Sequence, residues 1–128
     1  MMNHPMSHPT IHRRMGLGLL AVCLALPVHA LDFEGTRRAA LRGDAQAQFS
    51  LGVMYHEGRV VAQSDAQAAR WYRKAAEKGV VDAQYDLGLM YAEGRGVRKS
   101  RARALKWFRK AAAQGDEYAM LMVEELEK

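Results

Sequence analysis

The sequence predicts an all-α protein, a short α-solenoid of about six helices stacked as hairpins, and three observations lead there. Sliding the 128-residue chain by 36 positions aligns residues 44–79 with 80–115 without a gap, and 19 of the 36 positions are identical. Within each unit, apolar residues recur at helical spacing in two runs separated by a glycine-containing stretch. The first 30 residues differ in character: a basic start and an apolar run read as an export signal ahead of the repeats.

The leader, residues 1–30, carries His8, His12, Arg13 and Arg14 without an acid, followed by twelve uncharged, mainly apolar residues at 15–26. Twelve residues of helix cover roughly 18 Å, short of the roughly 30 Å of bilayer hydrocarbon, so a cleaved signal is expected rather than a span. Val28 and Ala30 give the small-residue pattern of a peptidase site, which places cleavage after Ala30. Arg13 and Arg14 also resemble a twin-arginine signal, and Leu20, Ala21, Val22 and Cys23 a lipoprotein one, though Val22 is bulky for that peptidase. Every route ends outside the cytoplasm.

Cys23 is the only cysteine, so the expected mature chain has no disulfide, thiolate nucleophile or thiolate metal ligand. The whole chain holds 19 Lys and Arg against 14 Asp and Glu; losing Arg13 and Arg14 leaves 17 against 14, a net +3 that does not argue for nucleic acid.

Residues 31–43 form an N-terminal half repeat with a helix at 33–42, since Ala39, Ala40 and Gly43 match Ala75, Ala76 and Gly79. In the first full unit, 44–79, Ala47, Leu51, Met54 and Tyr55 predict a helix at 45–56. Ala68, Trp71, Tyr72, Ala75 and Ala76 predict a second at 65–78. The second unit, 80–115, repeats them at 82–92 and 101–114 through Ala83, Leu87, Met90 and Tyr91, then Ala104, Trp107, Phe108, Ala111 and Ala112. Residues 116–128 give a capping helix at 117–127, where Ala119 continues the series of Ala47 and Ala83. Glu124 there replaces the helical glycines Gly52 and Gly88, which suits a polar cap. Ser64 with Gln67 spells a capping box, whereas Ser100 faces Arg103 and caps one way only. Gly79 and Gly115 stop the second helices. Gly52 and Gly88 each cost a helix about 1 kcal/mol relative to alanine, so a close helix crossing is expected at both.

The units closely resemble Sel1-like repeats, a subfamily of the tetratricopeptide superfamily. Ala83, Leu87, Gly88, Met90, Tyr91, Gly94, Gly96, Val97, Ala104, Trp107, Phe108, Lys110, Ala111, Ala112 and Gly115 carry the likeness. Val60 departs from it at the place of Gly96, and Ser64 and Ser100 stand where the family commonly has aspartate. The resemblance implies a right-handed superhelix and a non-catalytic role in binding proteins, in an exported bacterial, periplasmic member acting as adaptor, regulator or antagonist. Cysteine-rich relatives have been linked to β-lactams, an analogy this chain does not invite without a mature cysteine framework.

Candidate chemistry is sparse. His56 is the only histidine after the leader; beside Glu57 it reads as a loop residue rather than an acid or base, since no nucleophile accompanies it. One histidine and no cysteine build no metal site, and GRG at 94–96 lacks the Lys-Ser/Thr of a phosphate loop, so no cofactor is expected. Glu57 and Glu93 recur before the loop glycines as structural acceptors, and Trp71 and Trp107 recur as core. Arg98, Lys99, Arg101, Arg103, Lys106, Arg109 and Lys110 fall within thirteen residues free of acids. They read first as a solvated helix face, and otherwise as a patch that steers an acidic protein or anionic headgroups. The concave face of such a stack is lined by off-core positions of the first helices. Those positions are Gln46, Ser50 and Val53, then Asp82, Asp86 and Leu89, then Tyr118 and Met122, the expected partner-binding strip or else ordinary helix surface. The leading reading is a partner-binding module for a protein or peptide. The alternatives are a small envelope hydrolase of β-lactamase type that depends on His56, and a basic membrane-surface module.

Overall fold

The computed structural model describes the backbone of residues 28–128 and side chains from Phe33 onward; the readings placed on residues 1–27, Cys23, Arg13 and Arg14 among them, lie outside the described residues. Six helices follow in order among the described residues: α1 (Val28–Leu41), α2 (Ala45–Glu57), α3 (Asp65–Glu77), α4 (Val81–Glu93), α5 (Arg101–Ala113) and α6 (Glu117–Glu127). Five lie within one residue of their expected ends. The exception is α1, which starts five residues before the expected 33 and runs through Ala30, because the sequence after Pro27 holds no residue that breaks a helix. From α2 onward each helix packs on the next, α2 on α3, α3 on α4, α4 on α5 and α5 on α6.

Glycine decides how closely the hairpins close. A Cβ on Gly52 would lie 2.5 Å from the Tyr72 ring, and one on Gly88 would lie 2.7 Å from the Phe108 ring. The two helical glycines therefore let the first helix of each unit seat the aromatic of the second, and the packing offsets their helix penalty. Leu51, Leu87 and Phe108 are fully buried, and Trp71 and Trp107 are buried as expected for core positions.

The corners between units repeat one hydrogen-bonded device. Gly43, Gly79 and Gly115 have φ of 99°, 93° and 96°. Their N–H groups donate to Ala40, Ala76 and Ala112, and the following residues donate to Ala39, Ala75 and Ala111. This is a Schellman stop, used three times. Within the hairpins, Ser64 and Ser100 cap α3 and α5 by accepting from the Gln67 and Arg103 N–H groups. The reciprocal half of the expected capping box is not made. The Ser64 N–H already donates to the Tyr55 carbonyl, as the Ser100 N–H does to that of Tyr91, so Gln67 has no orphan donor to satisfy.

The two inter-helix loops differ. Gly96 has φ of 70°, and a Cβ there would run into the Asp65 backbone, so the second loop lies tight against the start of α3. Val60 holds the same place in the first loop, where no residue other than glycine has positive φ.

Candidate functional site

The expected strip lies on α2, α4 and α6. Gln46, Ser50, Asp82 and Tyr118 are exposed, whereas Val53, Asp86, Leu89 and Met122 are partly buried, with Val53, Leu89 and Met122 packed against the core. Tyr118 stacks toward Tyr85 at 6.4 Å between ring centroids. The strip is therefore a polar margin over an apolar floor.

Asp86 and Leu89 meet His56, Tyr72, Met90 and Arg95 around a cavity of about 110 Å³ between the two repeats. Burial, reinforced by the nearby Asp82 charge, raises the Asp86 carboxyl to about 6, while His56 and Arg95 pull it back down. His56 closes the last turn of α2 rather than sitting in the loop, with Nδ1 3.5 Å from the Asp65 carboxylate. Tyr72 supplies the only hydroxyl lining this cavity, and burial pushes its pKa further up, away from the phenolate. His56 thus faces the Asp65 carboxylate and shares the cavity with Asp86 and Arg95. Among the described residues, no group of His, Cys, Asp or Glu is arranged to hold a metal ion.

The basic run does not form one surface. Arg101 donates to the Leu126 carbonyl and Arg109 pairs with Glu127 at 2.9 Å, so both serve the α5–α6 junction. Arg103 lies over the Tyr91 ring at 5.7 Å, and Lys106 and Lys110 lie over Trp107 at 5.3 and 5.4 Å. Arg98 and Lys99 stay exposed beside the second loop.

Two larger open clefts run along α3. One, of about 440 Å³, is bounded by Arg70, Arg73, Lys74 and Glu77 with Gly96 and Val97; the other, of about 280 Å³, by Arg73, Glu77, Tyr91, Arg103, Lys106 and Trp107. Sequence reading gave no role to Arg70, Arg73, Lys74 or Arg95; Arg73 meets Tyr91, and Arg95 meets His56 and Tyr72, across the junction between units. One signal was present, since Arg73 and Arg109 are identical across the repeat.

Helix hairpins at a 36-residue pitch, glycine-stopped and stacked through recurring aromatics, define an α-hairpin repeat protein. A model of the Sel1 repeat family matches residues 45–80 and 81–116, and the chain belongs to that family. Proteins of this family generally mediate protein–protein interaction and are typically non-enzymatic. Among solved structures, a protective antigen of uropathogenic Escherichia coli strains with an SLR fold is 49% identical over 66% of this chain and 18% of its own, with a TM-score of 0.64. A Sel1 repeat protein from Oxalobacter formigenes is 42% identical over 71% of this chain and 26% of its own, with a TM-score of 0.70. Cysteine rich protein B of Helicobacter pylori is 30% identical over 70% of this chain and 68% of its own, with a TM-score of 0.67. The chain thus spans about a fifth to a quarter of the first two proteins. No match was found among curated proteins.

Proposed function

We propose that this chain is a non-catalytic binding module that holds a protein or peptide along α2, α4 and α6, on the concave side of the stack, and that it works in the bacterial periplasm after cleavage following Ala30. One observation carries the reading. Of the positions that change between repeats, Gln46 to Asp82 to Tyr118 is exposed throughout and Ser50 to Asp86 to Met122 runs from exposed to partly buried, while the identical positions Leu51 and Leu87 are fully buried. A scaffold kept constant beneath a variable surface is how a repeat array presents a rigid recognition face. Adaptor, regulator and antagonist roles all use that face. No helix among the described residues is long and apolar enough to cross a membrane.

The test is affinity capture from crosslinked envelope extract with residues 31–128 and with the Ser50→Arg/Asp86→Arg variant, each checked for helicity. A stoichiometric partner retained by the parent and lost by the folded variant is the expected outcome. Equal capture by both removes this face from the proposal. Amino-terminal sequencing of the exported product should begin at Leu31.

A further inference from the structure

The two clefts along α3 share no residue with the strip. An arginine occurs at the same repeat position as Arg73 and Arg109, and each of these two reaches a residue eighteen positions on. Arg109 finds Glu127 and is neutralised. Arg73 finds the uncharged hydroxyl of Tyr91 and keeps its charge. Arg103, from the other repeat, lies over the same Tyr91 ring. Two guanidinium groups thus converge on one tyrosine, flanked by Arg70 and Lys74 on one side and Lys106 on the other. Among the described residues none of these five bases has a carboxylate within ion-pair distance. Five bases facing one carboxylate, Glu77, which lies outside ion-pair distance, raise one another's energy, and an anion placed between them relieves it.

We propose that this groove is a receptor for an acidic peptide segment of a partner, with Arg73 and Arg103 gripping one carboxylate and Arg70, Lys74 and Lys106 the carboxylates on either side. A peptide suits it better than an anionic membrane for two reasons. Glu77 lines both clefts and would repel a uniformly negative surface, whereas a peptide can set a neutral or basic residue there. The exposed large apolar side chains, Leu41, Tyr118, Met120 and Leu121, line neither cleft, so nothing beside the bases would enter lipid.

The probe is a fluorescein-labelled peptide with glutamate at alternate positions, followed by anisotropy at low salt. The parent should bind it, and Arg73→Gln/Arg103→Gln should weaken binding by about tenfold or more, while Arg38→Gln/Arg42→Gln, with the same loss of charge at the end of α1, should change it less than about twofold. Tyr91→Phe keeps every charge and removes only the hydroxyl that holds Arg73; it should weaken binding by a few-fold, a loss net charge cannot explain. No binding by the parent, equal weakening by the two double variants, or binding to phosphatidylglycerol vesicles in place of the peptide would overturn the proposal. If the first double variant fails to fold, Tyr91→Phe decides alone.

Discussion

The two full repeats share a skeleton and differ in how they finish it. In the second, the buried Gln84 amide donates to the Ala76 carbonyl, and its oxygen accepts from Gln114, which also donates to Gly79. In the first, Gln48 donates to Ala40 in the same way, but Lys78 stands where Gln114 stands and reaches Gly43 alone, leaving the Gln48 oxygen buried without a partner among the described residues. The loops diverge likewise. Gly96 lies against the backbone of α3, whereas Val60 adopts no left-handed conformation. The contrast teaches that identical residues build the hairpin, while differing ones answer to the neighbour each hairpin meets.

The strongest way to break that view is Trp107→Ala, expected to cost about 3 to 5 kcal/mol because the ring is buried, with Trp71→Ala falling in the same range. A thermal melt unchanged in either variant would show that the repeats are not equivalent in their cores. Next comes a loop exchange. Gly96→Val should destabilise by about 3 kcal/mol, since a β-branched residue at positive φ would also strike Asp65, while the mirror change Val60→Gly should cost under about 1 kcal/mol in denaturant melts.

Asp86 sharpens the comparison with Ser50, its counterpart. With its folded pKa raised from 3.8 to about 6, the native state binds the proton more tightly than the unfolded chain, so stability falls as pH rises through that window. Asp86→Asn should therefore stabilise at pH 7, by about 1 kcal/mol once the solvent screening of a half-buried group is allowed for, and the gain should vanish below about pH 4. The smallest expected effect is Lys78→Gln, which copies Gln114 into the first repeat and should add about 0.5 to 1 kcal/mol by satisfying Gln48. Destabilisation in urea would mean that the two corners are not interchangeable.

The helices were legible because each carries a local signal. Ser64 and Ser100 start their helices, Gly79 and Gly115 stop theirs, and Gly52 and Gly88 predicted the close crossings that Tyr72 and Phe108 make. The start of α1 was missed because the leader reading assigned its first residues elsewhere. The clefts were not legible for a different reason. Arg73 meets Tyr91 and Arg103, and His56 meets Asp86 and Arg95, only through stacking of one unit on the next, and linear spacing does not state which side chains stacking will join. The basic run shows the converse. Of the seven neighbours in sequence, Arg98 and Lys99 stay beside the loop and the helix divides the other five between separate contacts, so proximity along the chain overstated their unity.

The buried glutamines have a mechanical consequence. Gln48 and Gln84 each tie a first helix to the last turns of the helix before it, and at the second corner Gln114 adds a further strap. A stack of hairpins flexes at its corners like a coiled spring, and here the first corner is held by two side-chain hydrogen bonds and the second by three. Under load, α1 should therefore swing against the first repeat before the first repeat swings against the second.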